Sequence, residues 1–183
     1  MGKGMDGELG AERIRAAAKG DRDAAEAVIR ALLPRVRNLV RYLLRGDRDV
    51  DDITQTALLV VLKGLPTFRG DAPFERWADR LVARETFRHL KRRRMIDAQE
   101  VESEIELTGS DGRDRDLLER RAVAVALDEL PEAQRVVVAL HHVAGFTVPE
   151  LAELLEIPRE TVRSRLRLGM VRLRERFAKE EAS

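Results

Sequence analysis

Apolar side chains recur every three or four residues along most of this chain, which is the spacing of one face of an α-helix. The clearest case is the stripe Val162, Leu166, Met170, Leu173 and Phe177. Alternation of period two is scarce, and aromatic residues make up only 4% of the chain, which argues against a β-sheet. The pattern predicts an all-α protein.

Helix breakers divide this pattern into segments. Gly20 and Asp21 suit the end of one helix and the N-cap of the next. The segments predicted for the first half are helices over about 24–45, 51–64 and 74–94, with a turn at 46–49 and a loop at 66–73. In the second half, Pro131, Gly145 and Pro158 separate four predicted helices.

An acidic stretch separates the two halves. Residues 97–119 hold nine acids and two arginines, a net charge of −7, with Thr, Gly and Ser between them. Such a composition is typical of a solvated linker. We therefore predict two small helical domains: an N-terminal bundle (1–94) and a C-terminal four-helix domain (117–183), joined by an acidic linker (95–116).

Basic residues are concentrated in two places. The whole chain is balanced, with 34 Lys plus Arg against 33 Asp plus Glu, yet residues 84–94 and 159–176 each carry a net charge of +5. Two basic surfaces on two domains suggest one polyanion contacted at two places. Two ordinary solvated helix faces would give the same pattern, so charge alone leaves both interpretations open.

The segment 147–177 matches a helix-turn-helix. Thr147 and Glu150 form a capping box before a short helix, and a longer helix starts near Arg159. Ser164 and Arg167 lie away from the apolar stripe in the first turns, which enter the major groove in this motif. Arginine can bond guanine edges there. An Arg-rich helical hairpin without DNA remains the alternative.

Two further places could bind partners. Asp52, Gln55 and Leu59 lie opposite the apolar stripe of the 51–64 helix, and an apolar residue beside an acid and an amide is typical of a protein interface. A scattered surface leucine is equally common. In the 67–73 loop, Phe68 beside Arg69 could hold an unstacked base. We expect Trp77 in the core.

Several motifs together resemble the extracytoplasmic-function (ECF) sigma factors of the sigma-70 superfamily, over about residues 12–94 and 117–177. In the first half, the matching segments are Gly46–Gln55, Phe68-Arg69, Pro73-Phe74, Trp77 and His89–Arg94. In the second half, they are Leu130–Arg135, Gly145–Thr147, Glu150–Ala152, Ile157-Pro158 and Thr161–Leu166.

The resemblance implies a sigma factor that directs core RNA polymerase to specific promoters and assists promoter melting. By position, the residues implied to bind core polymerase are Asp52, Gln55 and Leu59. Those implied to bind the minus-10 element and its melted strand are Phe68, Arg69, Arg84, Arg88, Lys91 and Arg92. Those implied to bind the minus-35 element are Arg159, Thr161, Arg163, Ser164 and Arg167.

The sequence departs from the family pattern at several positions. Thr56 stands where the family usually has an acid, and Arg84 and Arg88 stand where it typically has Asn and Asp. Leu168-Gly169 replaces a common Arg-Ala pair, and glycine inside a helix costs about 1 kcal/mol relative to alanine. These departures concern the proposed partner and DNA surfaces.

Two other functions are compatible with parts of this sequence. A stand-alone helix-turn-helix regulator explains residues 130–177 but leaves the Asp52 face without a role. The acids at 47, 49, 51 and 52 could suggest a metal-dependent enzyme, but acids are expected at a helix start. We therefore expect no catalytic residue, metal or cofactor. The absence of cysteine excludes a disulfide scaffold.

Partners and location follow as expectations. We expect core polymerase, promoter DNA in duplex and melted form, and an anti-sigma protein that supplies external control. The free protein is expected to be a monomer. No apolar run approaches the ~18 residues of a membrane span, so we expect no membrane insertion and a cytoplasmic, nucleoid-associated protein.

Overall fold

Eight α-helices make up the parts of the chain that the computed structural model describes, residues 10–46, 48–97 and 115–181. They are α1 (Ala11–Ala18), α2 (Arg22–Leu43), α3 (Val50–Gly64), α4 (Phe74–Asp97), α5 (Arg115–Asp128), α6 (Glu132–His142), α7 (Val148–Leu155) and α8 (Arg159–Glu181). No β-strand occurs within those ranges. The all-α prediction is confirmed. A short 3₁₀ turn, Leu65–Thr67, opens the segment that was predicted as a loop.

The chain divides into two compact units. The first consists of Met1–Val40 and Asp49–Glu102, and the second of Arg41–Arg48 and Ser103–Ser183. Most of the predicted acidic linker, residues 98–114, lies outside the described residues. The domain limits 1–94, 95–116 and 117–183 therefore stay predictions.

The first unit is built around the packing of α3 on α4. The N-terminal cap of α2 forms as expected, since the backbone N–H of Ala24 donates to Asp21 Oδ1 over 2.7 Å. At the end of α3, a Cβ on Gly64 would lie 3.0 Å from Leu81 Cδ1, so glycine allows α3 to approach α4 closely. The largest fully buried side chains of this unit include Val28, Leu32, Val36, Leu39, Val40, Val50, Val61 and Phe74.

The second unit holds the predicted helix-turn-helix, α7 and α8. The capping box is present: the Thr147 N–H donates to Glu150 Oε2 over 2.8 Å, and the Glu150 N–H donates to Thr147 Oγ1 over 3.4 Å. Leu151 and Val162 are completely buried. The predicted stripe of α8 is buried at its start, whereas Phe177 near its end is 40% exposed.

Gly169 lies where α8 crosses α6. A Cβ at this position would stand 2.7 Å from Val138 Cγ2 and 3.5 Å from Gln134 Cβ. The first distance is shorter than real Cβ contacts allow, whereas the second is an ordinary van der Waals contact. A larger residue would therefore push against Val138, and glycine lets the helices meet this closely. The sequence alone indicated the propensity cost of this glycine but not its packing role.

Candidate functional site

The α3 face consists of Asp52, Gln55 and Leu59, at spacings of three and four residues. All three are exposed, and Leu59 is 49% exposed although it is apolar. On the opposite side of the helix, Ile53 and Ala57 are buried. The structure therefore brings the three predicted residues together on one accessible surface. Beside them, the Thr56 hydroxyl donates to the backbone carbonyl of Asp52 over 3.0 Å.

The α4 basic face consists of Arg84, Arg88, Lys91 and Arg92. These four side chains are exposed at spacings of four, three and one, which places them on one side of the helix. The opposite side is closed by core side chains, among them Val82 and Thr86. The residues predicted from the sequence thus form one continuous cationic surface.

Buried carboxylates lie on the inner side of α4. Asp79 has 3% of its side chain exposed and accepts two hydrogen bonds from Arg35, with Nε–Oδ1 2.9 Å and Nη2–Oδ2 2.5 Å. Burial raises the pKa of the Asp79 carboxyl, and the Arg35 hydrogen bonds partly counteract that rise. The hydrogen bond to Asp79 raises the pKa of Arg35. Arginine thus compensates a charge that the core would otherwise exclude.

Glu85 is the second such carboxylate, and sequence reasoning missed its role. Its side chain is 7% exposed, and it forms ion pairs with Arg88 and, over 3.6 Å, with Arg92. Two predicted DNA-binding arginines therefore share one buried acid. The sequence did contain a signal for this role. Glu85 is the single acid among six bases at 84–94, and it stands three and seven residues before Arg88 and Arg92, on the same side of the helix.

Phe68 belongs to an aromatic cluster. Its ring centroid lies 5.3 Å from that of Phe74 and 5.2 Å from that of Trp77, and the Phe74–Trp77 distance is 5.6 Å. Phe68 and Trp77 are both half-buried, so Trp77 lies at the edge of the core, not within it. Next to the cluster, Arg69 is exposed before Gly70, whose φ is +80°.

The α8 basic face lies in the first three turns of that helix. Arg159, Arg163, Ser164 and Arg167 are exposed, while Thr161 is half-buried beside the buried Val162. Arg163 pairs with Glu160, and both side chains are largely exposed, at 60% and 80%. Thr161 is therefore the least accessible of the five predicted minus-35 residues.

Two arginines further along α8 contact α6 and the turn after α5. Arg172 Nη1 donates to Gln134 Oε1 over 2.7 Å, and Arg176 Nε lies 3.0 Å from Glu129 Oε1. Arg172 belongs to the +5 segment 159–176, whose charge alone would suit contacts with phosphates. Its hydrogen bond to α6 gives it a packing contact that the linear sequence did not reveal.

Two of the acids around residue 50, Asp49 and Asp51, pair with arginines. Arg93 Nη1 lies 2.6 Å from Asp49 Oδ2, and Arg37 Nε lies 2.9 Å from Asp51 Oδ1. Asp47 lies outside the described residues. Among residues that are described, no group of three or more His, Asp or Glu could hold a metal ion. Within the same ranges, no helix is both long and apolar enough to span a bilayer.

Comparison with known proteins assigns each unit. The family described as "Sigma-70 region 2" matches residues 28–95, and "Sigma-70, region 4" matches residues 120–173. The chain is 30% identical over 165 residues to "ECF RNA polymerase sigma factor SigM" of Mycobacterium tuberculosis, covering 89% of this chain and 82% of the relative. It is 28% identical over 179 residues to "ECF RNA polymerase sigma-E factor" of Escherichia coli, covering 91% of each.

Two solved structures share the fold. The chain superposes on CnrH in complex with the cytosolic domain of CnrY with a TM-score of 0.56 and 22% identity, covering 93% of this chain and 98% of that one. It superposes on RpoE in complex with the anti-sigma factor NepR from Bartonella quintana with a TM-score of 0.62 and 19% identity, covering 82% and 94%.

Two helical units that match regions 2 and 4 in this order define a protein of the sigma-70 class. Within that class, the chain belongs to the ECF RNA polymerase sigma factors. A stand-alone helix-turn-helix regulator is not favoured, because it would account for the second unit only.

Proposed function

We propose that the first unit binds core polymerase through the α3 face and the minus-10 element through the α4 basic face, and that the α8 basic face reads the minus-35 element. The carrying observation is the exposure of the predicted residues: four bases lie on one side of α4, and four of five minus-35 residues are accessible on the first turns of α8. Initiation factors of this kind are not catalysts, so no enzymatic role is proposed.

The chemistry of each surface supports its assignment. A helix with exposed arginine and serine in its first turns can read base edges in a duplex major groove. A melted strand offers phosphates and unstacked bases, which match the arginines of α4 and the half-buried Phe68 beside Arg69. An apolar Leu59 flanked by Asp52 and Gln55 suits a protein surface instead of DNA, because acids repel phosphate.

Run-off transcription tests the whole assignment. The purified chain is added to bacterial core polymerase with a pool of promoter fragments, and transcripts are mapped. We expect start sites that appear only when the chain is present and that share two spaced elements. If no such transcripts appear but the chain still binds duplex DNA, the function of a stand-alone helix-turn-helix regulator would be favoured instead.

The α3 face has its own test. The double variant Asp52→Ala/Gln55→Ala is expected to bind core polymerase at least tenfold more weakly with unchanged helicity, because both side chains are exposed and neither closes the core. The matched control is Asp51→Ala, which removes an exposed acid from the same turn that pairs with Arg37. Equal affinity of the double variant and the control would refute this face.

An anti-sigma partner and a monomeric free state complete the proposal. Both solved neighbours were determined in complex with partner proteins, the cytosolic domain of CnrY and the anti-sigma factor NepR respectively. We infer a comparable partner for this chain, which would cover the α3 face or a DNA face. Co-purification from source cells tests this, and recovery of polymerase subunits alone would contradict it. Cytoplasmic location and association with the nucleoid would follow from promoter binding.

A further inference from the structure

Glu85 stands apart from the other acids of the first unit because it is buried and lies against the proposed DNA surface. It is 6% exposed, on the border between the core side of α4 and the α4 basic face. A buried carboxylate is costly unless cations and hydrogen bonds compensate its charge. The compensation here comes from the DNA-facing side of the same helix.

The two oxygens of Glu85 face two different arginines. Oε2 accepts a hydrogen bond from Arg88 Nη1, and Oε1 lies 3.6 Å from Arg92 Nη2. The side chains of Arg88 and Arg92 nevertheless remain 63% and 64% exposed. Arginine has five N–H donors, so the hydrogen bond to Glu85 leaves most donors of Arg88 directed to solvent.

We propose that Glu85 is a positioning residue for promoter-strand binding: it holds Arg88 and Arg92 in the orientation in which they meet the melted minus-10 strand. This inference rests on the proposed function of the α4 basic face. Long arginine side chains lose rotamer freedom when they bind, and a prior tether reduces that loss. Arg84, on the same face, has no hydrogen bond or ion pair among the described residues, so it serves as the untethered reference.

The proposal predicts different effects on the affinities for two DNA probes. Removing the Glu85 charge also removes a negative charge near phosphates, so Glu85→Gln should leave affinity for the scrambled strand unchanged or increase it. Loss of orientation should lower the preference for the correct sequence. The probes are a single-stranded DNA with the minus-10 sequence mapped by run-off transcription and a scrambled strand of equal composition, both binding to holoenzyme. We expect their affinity ratio to fall about three- to tenfold.

A double-mutant cycle separates positioning from folding. In an Arg88→Ala/Arg92→Ala background, Glu85→Gln should leave the ratio unchanged, because the residues through which it acts are absent. The control is Glu26→Gln, which removes an acid paired with Arg30 in the same unit, both exposed. An unchanged ratio in the single variant would overturn the proposal, as would an equal fall in the background lacking both arginines.

A second measurement uses the natural chain, so it tests the proposal even if the Glu85→Gln variant fails to fold. In the natural chain, ¹⁵Nε relaxation should give higher order parameters for Arg88 and Arg92 than for Arg84. Equal order parameters for the three arginines would overturn the proposal that Glu85 restrains Arg88 and Arg92. Failure of natural holoenzyme to prefer the mapped strand over the scrambled one would instead refute the proposed function, whatever the relaxation data show.

Discussion

The two basic helices of this sigma factor are supported in different ways. Behind the α4 basic face lie carboxylates, Asp79 and Glu85, each paired with arginine. Behind the α8 basic face lie the buried Val162 and the close contact at Gly169, while the neighbouring acid, Glu160, is 80% exposed. Helix α4 is therefore positioned by ion pairs whose carboxylates are buried, and α8 is positioned by apolar packing. Different substitutions should damage each one.

The largest effect is expected where the first unit depends on a buried charge. Arg35→Ala leaves Asp79 buried without its cation, and we expect a loss of about 2–3 kcal/mol in the free energy of unfolding. This is below the loss for a fully buried pair because 41% of the Arg35 side chain is exposed. Trp77 is the only tryptophan, so its fluorescence during urea unfolding reports on this unit.

The pH dependence of this variant has a definite sign. Burial already raises the pKa of Asp79, and loss of Arg35 removes the hydrogen bonds that oppose the rise. The folded variant therefore takes up a proton more readily than the unfolded chain, so low pH favours it. The deficit should shrink as the pH falls from 7.5 through the raised pKa of Asp79. An equal deficit throughout, or a similar loss in the exposed-pair control Arg30→Ala, would contradict this account.

The next effect concerns DNA selectivity in the second unit. Arg167→Ala should reduce the preference for the correct minus-35 duplex by about 1–3 kcal/mol, because this exposed arginine lies in the proposed groove-facing turns. Competition binding with matched and scrambled duplexes gives the difference. Arg174→Ala, an exposed arginine two turns further on, is the control. Equal weakening on both duplexes would indicate phosphate contacts instead of base readout.

A smaller effect should come from packing at Gly169. Gly169→Ala gains helix propensity of about 1 kcal/mol but forces a methyl group against the buried Val138, and overpacking costs about 1–3 kcal/mol. We expect a net loss of about 1 kcal/mol, measured by hydrogen exchange in α6 and α8. Adding Val138→Ala should recover part of the loss caused by overpacking.

Gly64→Ala provides the matched test in the first unit. Its added Cβ would meet Leu81 Cδ1 at 3.0 Å, the flexible end of a side chain that can move aside, and Trp77 Cζ2 at 3.3 Å, where a small shift suffices. The propensity gain and the contact should nearly cancel, giving a change near zero. If Gly64→Ala proved more destabilising than Gly169→Ala, close helix packing would matter more in the first unit than in the second, contrary to the contrast drawn here.

Periodicity and turn chemistry predicted most of the fold. The Thr147 capping box and the Asp21 cap are local, so their partners lie three residues away in the sequence. The face of α3 with Asp52 and Leu59 follows from helical spacing alone. The close approach at Gly169 could not be predicted, because the facing residue, Val138, lies in another helix. The same reason hid the Arg35–Asp79 pair, whose partners are 44 positions apart.

Among the ion pairs, the smallest effect is expected at Glu160, and it sharpens the comparison with Glu85. Both acids pair with the arginine three residues later, but Glu160 and Arg163 are exposed to water, which weakens their attraction. Glu160→Gln should lower stability by about 0.5 kcal/mol, partly through the lost interaction with the helix N-terminus, and less at 1 M salt. Thermal unfolding at low and high salt measures this. A loss as large as that of Arg35→Ala, insensitive to salt, would mean that the α8 face also depends on a fixed ion pair. A small, salt-sensitive loss would leave Arg163 free to exchange its acid for DNA, while Arg88 keeps its buried one.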